Sequence, residues 1–131
     1  MVVDTSALLA VILDEPESRR FRELIAEASM LKVSAVSVLE ASLVLEGRLH
    51  AEASRELDLL LRDTGFEVAP FDEQQVRLAR RAWRRYGKGN HPAALNLGDC
   101  ASYALSKVTG EPLLFKGDDF SQTDVVSVLA G

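Results

Sequence analysis

The sequence predicts an α/β fold: a three-layer α/β/α domain around a central parallel sheet of four or five strands. Three observations carry that expectation. Short apolar, partly β-branched runs recur along the chain, each followed by a segment with helical periodicity. Strands alternating with helices imply parallel pairing, with helices covering both faces of the sheet. The 131 residues hold no repeat, low-complexity tract or linker, so residues 1–131 read as a single domain able to bury one core.

Met1-Val2-Val3 is a buried strand that stops at Asp4-Thr5-Ser6 and passes into the apolar helical run from Ala7 to Leu13. Asp14-Glu15-Pro16-Glu17 is a turn, with Pro16 suited to a new helix start. Phe21, Leu24, Ile25 and Ala28 mark that helix by their i, i+3, i+4, i+7 spacing. Leu31 to Ala35 is the second strand. Ser37 is the expected N-cap of a helix over 38–47, with Glu40 at capping-box spacing. A helix over 49–61 turns Ala53, Leu57, Leu60 and Leu61 inward and stops before Gly65. Phe66 to Pro70 is the third strand, and Asp72 or Glu73 opens a helix to Tyr86. Residues 87–92 are a loop by composition. Asn96 begins a helix that runs to about Val108, Leu113 to Phe115 is the fourth strand, and 125–129 is a candidate fifth.

Composition bounds the function. A hydrophobic fraction of 47% with 27% charged residues is ordinary for a soluble globular protein. The single cysteine, Cys100, excludes an internal disulfide and a cysteine-rich zinc site. No apolar run approaches the ~20 residues of a membrane span, and no basic segment precedes an apolar one at the start. The expected compartment is the cytoplasm, with no membrane role. A net charge of −5 argues against a basic nucleic-acid binder. It leaves room for a metal nuclease, whose acidic site carries part of that charge.

Four acids stand where the carboxyl rim of the sheet should be, the end at which ligands bind in open α/β sheets. Asp4 leaves the first strand; Thr5 and Ser6 serve as helix caps equally well and leave it free. Glu40 shares a helix face with Val36, Leu43 and Val44, a costly place for a carboxylate unless it turns back as a capping-box residue. Asp99 stands in the first turn of its helix, where the macrodipole and capping by Asn96 are a sufficient structural role for an isolated acid. Asp118 and Asp119 follow the fourth strand across Gly117, and one of them serves only the turn. Helix N-termini collect at the carboxyl end of a parallel sheet, so Asp4, Glu40, Asp99 and Asp118 are expected to meet. Four carboxylates on one rim cannot all stay ionised without cations, and oxygen donors suit Mg2+ or Mn2+. Phosphodiester hydrolysis is the chemistry that follows.

The runs Val2-Val3-Asp4-Thr5-Ser6-Ala7, Ser34-Ala35-Val36-Ser37-Val38-Leu39-Glu40, Leu97-Gly98-Asp99-Cys100 and Leu114-Phe115-Lys116-Gly117-Asp118-Asp119-Phe120 together resemble PIN-domain ribonucleases. The likeness is greatest to VapC-type toxins of bacterial toxin–antitoxin pairs and covers essentially the whole chain. The resemblance implies a Mg2+-dependent endoribonuclease, neutralised by a VapB-type antitoxin and usually a homodimer. It makes Asp4 and Asp99 metal ligands, and Glu40 a ligand or the holder of the ion's water. Many PIN sequences place the fourth acid where this chain has Gly117, so Asp118 takes the role by a shift, with Asp119 as competitor. Thr5 and Ser6 match a hydroxyl pair that orients the first acid or contacts phosphate.

Arg77, Arg80, Arg81, Arg84 and Arg85 form one face of their helix, opposite Val76, Ala79, Ala82, Trp83 and Tyr86. Such a face is usually only solvated. The sharper reading is that Arg84, Arg85 and Lys88, with His91 nearby, bind the RNA backbone or the antitoxin's acids. Trp83 is expected to anchor packing, and Cys100 to be a small core residue, having no histidine partner. Two rival readings are a receiver-type Mg2+-binding phosphoacceptor domain and a non-catalytic PIN-fold binding module. The first wants an acid pair after strand one and an acceptor acid ending strand three, where Ala69-Pro70 stands.

Overall fold

The first strand, β1 (Val2–Val3), shows how the layers arise, because its two buried valines point to opposite sides of the sheet. Val3 joins a core with Leu8, Val11, Phe21, Ile25, Val33, Leu45 and Leu57. Val2 joins a second core with Ala82, Tyr86, Leu95, Tyr103, Leu105 and Leu113. The computed structural model describes residues 1–49 and 51–129. Among the described residues, β1 is followed by α1 (Thr5–Ile12), α2 (Ser18–Glu27), β2 (Lys32–Ser34), α3 (Ala35–Leu49) and α4 (Ala51–Asp63). Then come β3 (Glu67–Ala69), α5 (Glu73–Tyr86), α6 (Leu97–Thr109), β4 (Leu113–Leu114) and a 3-10 turn, Phe120–Gln122. Helices α1 to α4 cover one face and α5 and α6 the other, the three layers expected.

The sheet is parallel throughout, in the order β3-β2-β1-β4. Strand order reverses between β1 and β4, and the crevice beyond the carboxyl ends of those two strands is where such sheets hold ligands. Asp4 follows β1 directly, and its N–H donates to the Leu114 carbonyl of β4 (2.9 Å).

Several local expectations change. The tail does not form a full fifth strand; Ser127 makes a single parallel bridge to Leu113, through Leu113 N–H to Val126 O (2.8 Å) and Val128 N–H to Leu113 O (3.0 Å). Ser37 is not an N-cap, because β2 runs into α3 with no loop between them. Ser34 accepts the Val36 N–H (3.2 Å) at that start instead. Glu40 therefore lies beyond the first turn, at the edge of the stripe whose buried members include Ser37, Ala41 and Leu45, while Leu43 is 61% exposed. On α5 the buried stripe runs through Gln75, Ala82 and Tyr86. Val76 and Trp83, seven positions apart, fall on its border, and Trp83 is 43% exposed instead of anchoring the core.

Candidate active site

Asp4 is the N-cap of α1, a role the sequence had left to its hydroxyl neighbours. Its Oδ2 accepts both the backbone N–H (3.0 Å) and the hydroxyl (2.7 Å) of Ser6. The Ser6 hydroxyl oxygen in turn accepts the Lys116 N–H (3.0 Å), which pins the segment after β4 beside Asp4. The other oxygen, Oδ1, accepts from the Ser102 hydroxyl on α6 (2.5 Å). Ser102 lies 3.2 Å from the Ser37 hydroxyl on α3, and the Thr5 hydroxyl donates to the Ser37 carbonyl (3.4 Å). Buried hydroxyls thus lock α1, α3 and α6 around one carboxylate that is itself 2% exposed.

Asp99 sits at the third position of α6 in a reciprocal capping box. Asn96 Oδ1 accepts the Asp99 N–H (2.9 Å) and Asp99 Oδ2 accepts the Asn96 N–H (3.0 Å). The cap keeps Asp99 at the sheet rim and leaves its second oxygen without a partner in the capping pair. Burial pushes the Asp99 carboxyl up to about 7, against the lowering effect of the Asn96 N–H, and the charges of Asp4, Asp119 and Glu40 push the same way. Burial also raises the Asp4 carboxyl, opposed by its Ser102 and Ser6 donors. The Glu40 carboxylate rests on Gly98, the residue before Asp99: a Cβ there would stand 2.6 Å from Glu40 Cδ. Gly117 has φ +96°, a conformation that L side chains rarely adopt. Asp118 and Asp119 are both exposed beyond it.

Of the four acids expected from the sequence, Asp4, Glu40 and Asp99 are coupled through their fields; the further charge felt at Asp99 is that of Asp119, not of Asp118. As they stand, no three histidine, cysteine or acidic side chains among the described residues surround one point as metal ligands do. The physical reason is visible in Asp4 and Asp99, whose carboxylates are turned onto hydrogen-bond donors of the protein. The donor set still fits a hard divalent ion: it is all oxygen, and its members repel one another in the absence of a cation. Sequence reasoning missed Ser102 and Gly98. Neither carries a spacing signal, although Gly98 lies within the Leu97-Gly98-Asp99-Cys100 run.

The basic residues divide. Arg84 and Lys88 border a groove beside α6, whereas Arg85 turns to Asp124 (3.9 Å) and lies over the Tyr86 ring at 5.0 Å. His91 is folded into its own loop, its Nδ1 accepting the Ala93 N–H (3.0 Å). Cys100 is buried, and burial together with the Asp99 charge pushes its thiol up to about 11, which suits a packing residue and not a nucleophile.

The family model for the PIN domain matches residues 1–126. The chain belongs to the PIN domain family. This PIN domain is 48% identical over 128 residues to a ribonuclease VapC of Mycolicibacterium smegmatis, covering 98% of this chain and 99% of that one. It is 46% identical to ribonuclease VapC30 of Mycobacterium tuberculosis, covering 98% of each chain. Among solved structures, the PIN domain superposes on the sarcin–ricin-loop-cleaving toxin VapC20 of Mycobacterium tuberculosis with TM-score 0.80. That match covers 97% of each chain at 18% identity, a likeness of fold. Family membership removes the receiver-type reading. No helix among the described residues of this PIN domain is long and apolar enough to cross a membrane.

Proposed function

We propose that this PIN domain is a metal-dependent endoribonuclease toxin of VapC type, acting in the cytoplasm and neutralised by a VapB-type antitoxin. The observation that carries the reading is that Asp99 is held near neutrality by burial and by the charges of Asp4, Asp119 and Glu40. Acids from four separate chain segments thus share one field. The relatives named ribonuclease VapC, aligned over nearly the whole chain, support the same reaction. In this reading Asp4, Glu40 and Asp99 would hold Mg2+ or Mn2+, with Asp119 favoured over Asp118 as the fourth acid because its charge is felt at Asp99. A bound divalent ion would supply a lowered water pKa and stabilisation of charge on the phosphoryl oxygens.

The chain's own residues do the rest. Ser102 and Ser6 hold both oxygens of Asp4 in place, and Gly98 leaves room for Glu40 to reach the rim. The Asn96 cap fixes Asp99 at the third position of its helix. Leu39 (59% exposed) and Leu43 (61% exposed), one turn apart on α3, form the face we assign to a second copy in a homodimer. Its test is the molecular mass in solution of the wild type against a variant with both leucines replaced by lysine.

The function itself is tested with wild type, Asp4→Asn and Asp99→Asn. The expected result is Mg2+-dependent RNA cleavage and growth arrest from the wild type alone. Full activity in both variants would show that the chemistry lies elsewhere.

A further inference from the structure

The turn between α1 and α2 carries two acids, Glu15 and Glu17, that meet one cation from the far end of the chain. Lys116 Nζ lies 3.1 Å from Glu15 Oε1 and 3.4 Å from Glu17 Oε1. Glu17 stands at the N-cap position of α2 yet makes no capping bond; its carboxylate turns to the lysine instead. Two carboxylates around one ammonium leave an excess negative charge, more than a structural bridge requires. The lysine side chain is 34% exposed, and ion pairs so close to water are weak and exchange readily. The root of Lys116, in contrast, is fixed. Its N–H donates to Ser6 Oγ (3.0 Å), whose hydroxyl donates to Asp4 Oδ2 (2.7 Å), so the residue is anchored two hydrogen bonds from the first acid. Next to it, a Cβ on Gly117 would meet nothing within 4 Å, and both residues line a cleft of about 440 Å3 with Glu17, Phe21 and Ser121. A fixed backbone, an open flank and a flexible four-carbon stem let the ammonium sweep the rim while its root stays still.

The nuclease reading sets a charge problem that this lysine answers. Asp99 feels the negative charges of Asp4, Asp119 and Glu40, and a divalent ion held there would offset them only locally. RNA carries a phosphate at every link, so the links flanking the cut face acids without that ion's help. We propose that Lys116 binds the phosphate adjoining the scissile one, and that Glu15 and Glu17 hold its ammonium aside until RNA displaces them. This rests on the nuclease reading and adds to it a substrate-binding residue and a restraint upon that residue. A purely structural bridge, tying the α1–α2 turn to the end of β4, would give the three residues effects of one sign. Competition gives opposite signs: losing the lysine weakens RNA binding, and neutralising the glutamates strengthens it.

Binding of a short labelled single-stranded RNA to the full-length protein, free of divalent metal so that the strand stays whole, is followed by anisotropy at several salt concentrations. Lys116→Gln should weaken binding about fivefold and lower the slope of log affinity against log salt by about 0.7, the value of one phosphate contact on a single strand. Lys116→Arg, which keeps the charge, should stay within about twofold of wild type. Glu15→Gln combined with Glu17→Gln should tighten binding about fivefold, but less than about twofold when Lys116→Gln is also present, because the glutamates act through the lysine. Unchanged affinity and slope in Lys116→Gln overturn the proposal. So does equal tightening by the glutamate pair in both backgrounds, which would be a general effect of the field. Should Lys116→Gln fail to fold, the glutamate pair decides alone: unchanged or weaker binding overturns the restraint and the contact together. Failure of wild-type cleavage with Mg2+ removes the nuclease reading whatever the binding shows. Normal wild-type cleavage with the salt slope unchanged in Lys116→Gln removes the role of Lys116 alone.

Discussion

The Glu40 carboxylate lies over the Cα of Gly98, so that a Cβ at position 98 would be 2.6 Å from Glu40 Cδ. Two residues 58 positions apart thereby divide one small space, and the absent side chain of one admits the acid of the other.

Gly98→Ala follows from that contact. Glu40 is the far end of a flexible side chain and swings aside at little cost, while alanine is favoured over glycine inside a helix by about 0.5–1 kcal/mol. The variant should melt no lower than the wild type yet lose RNA cleavage by of order a hundredfold, as a displaced group at a reacting centre does. Thermal unfolding and initial rates, measured on one preparation, check both halves. A destabilised but active variant would show that Gly98 serves packing alone.

Ser102→Ala removes the donor to Asp4 Oδ1. An ionised buried oxygen left without a donor costs about 1–3 kcal/mol. The penalty applies only when Asp4 is charged, and burial raises its carboxyl, so the loss of melting temperature should grow with rising pH. A loss independent of pH would mean that the hydroxyl acts only in packing.

Stability of the metal-free protein should fall as pH rises through the neutral range. Asp99 titrates from 3.8 when unfolded to about 7 when folded, and Asp4 is shifted upward as well. Between those values the folded chain binds more protons than the unfolded one, so stability decreases with increasing pH across that window. Mg2+ should therefore raise the melting temperature more at about pH 8 than at about pH 5. A Mg2+ effect independent of pH would contradict the assignment of these acids to the ion.

Arg84 and Arg85 are adjacent yet should behave differently. Arg84 borders the groove, while Arg85 is engaged by Asp124 and the Tyr86 ring. Arg84→Ala should weaken RNA binding and lower the slope of log affinity against log salt by about 1. Arg85→Ala should leave that slope unchanged. Binding isotherms at several salt concentrations distinguish them.

Much of this was legible in the chain itself. Asp4 after Val2-Val3 marks a strand end, Asp72 and Asn96 are helix caps where expected, and the strand–helix alternation yields the parallel three-layer architecture. The start of α3 was misread because capping-box spacing at Ser37 and Glu40 looks the same whether or not a helix has already begun; Ser34, at the strand end, holds it. Trp83 was misread because apolar character at helical spacing marks a face, while its burial depends on whether another element covers it. Among the described residues the border of α5 is only partly covered, leaving Val76 and Trp83 exposed.

The sequence by itself determined the alternation of elements, the acids at strand ends and helix starts, and the charge balance, because each depends on neighbours within a turn or two. Only the tertiary structure decided that Ser102 grips Asp4 across 98 positions, that Gly98 receives Glu40, and that Arg84 and Arg85 part company. Those are contacts between segments brought together by the sheet order. Side-chain direction there is set by what the opposite layer leaves open, which local spacing does not encode.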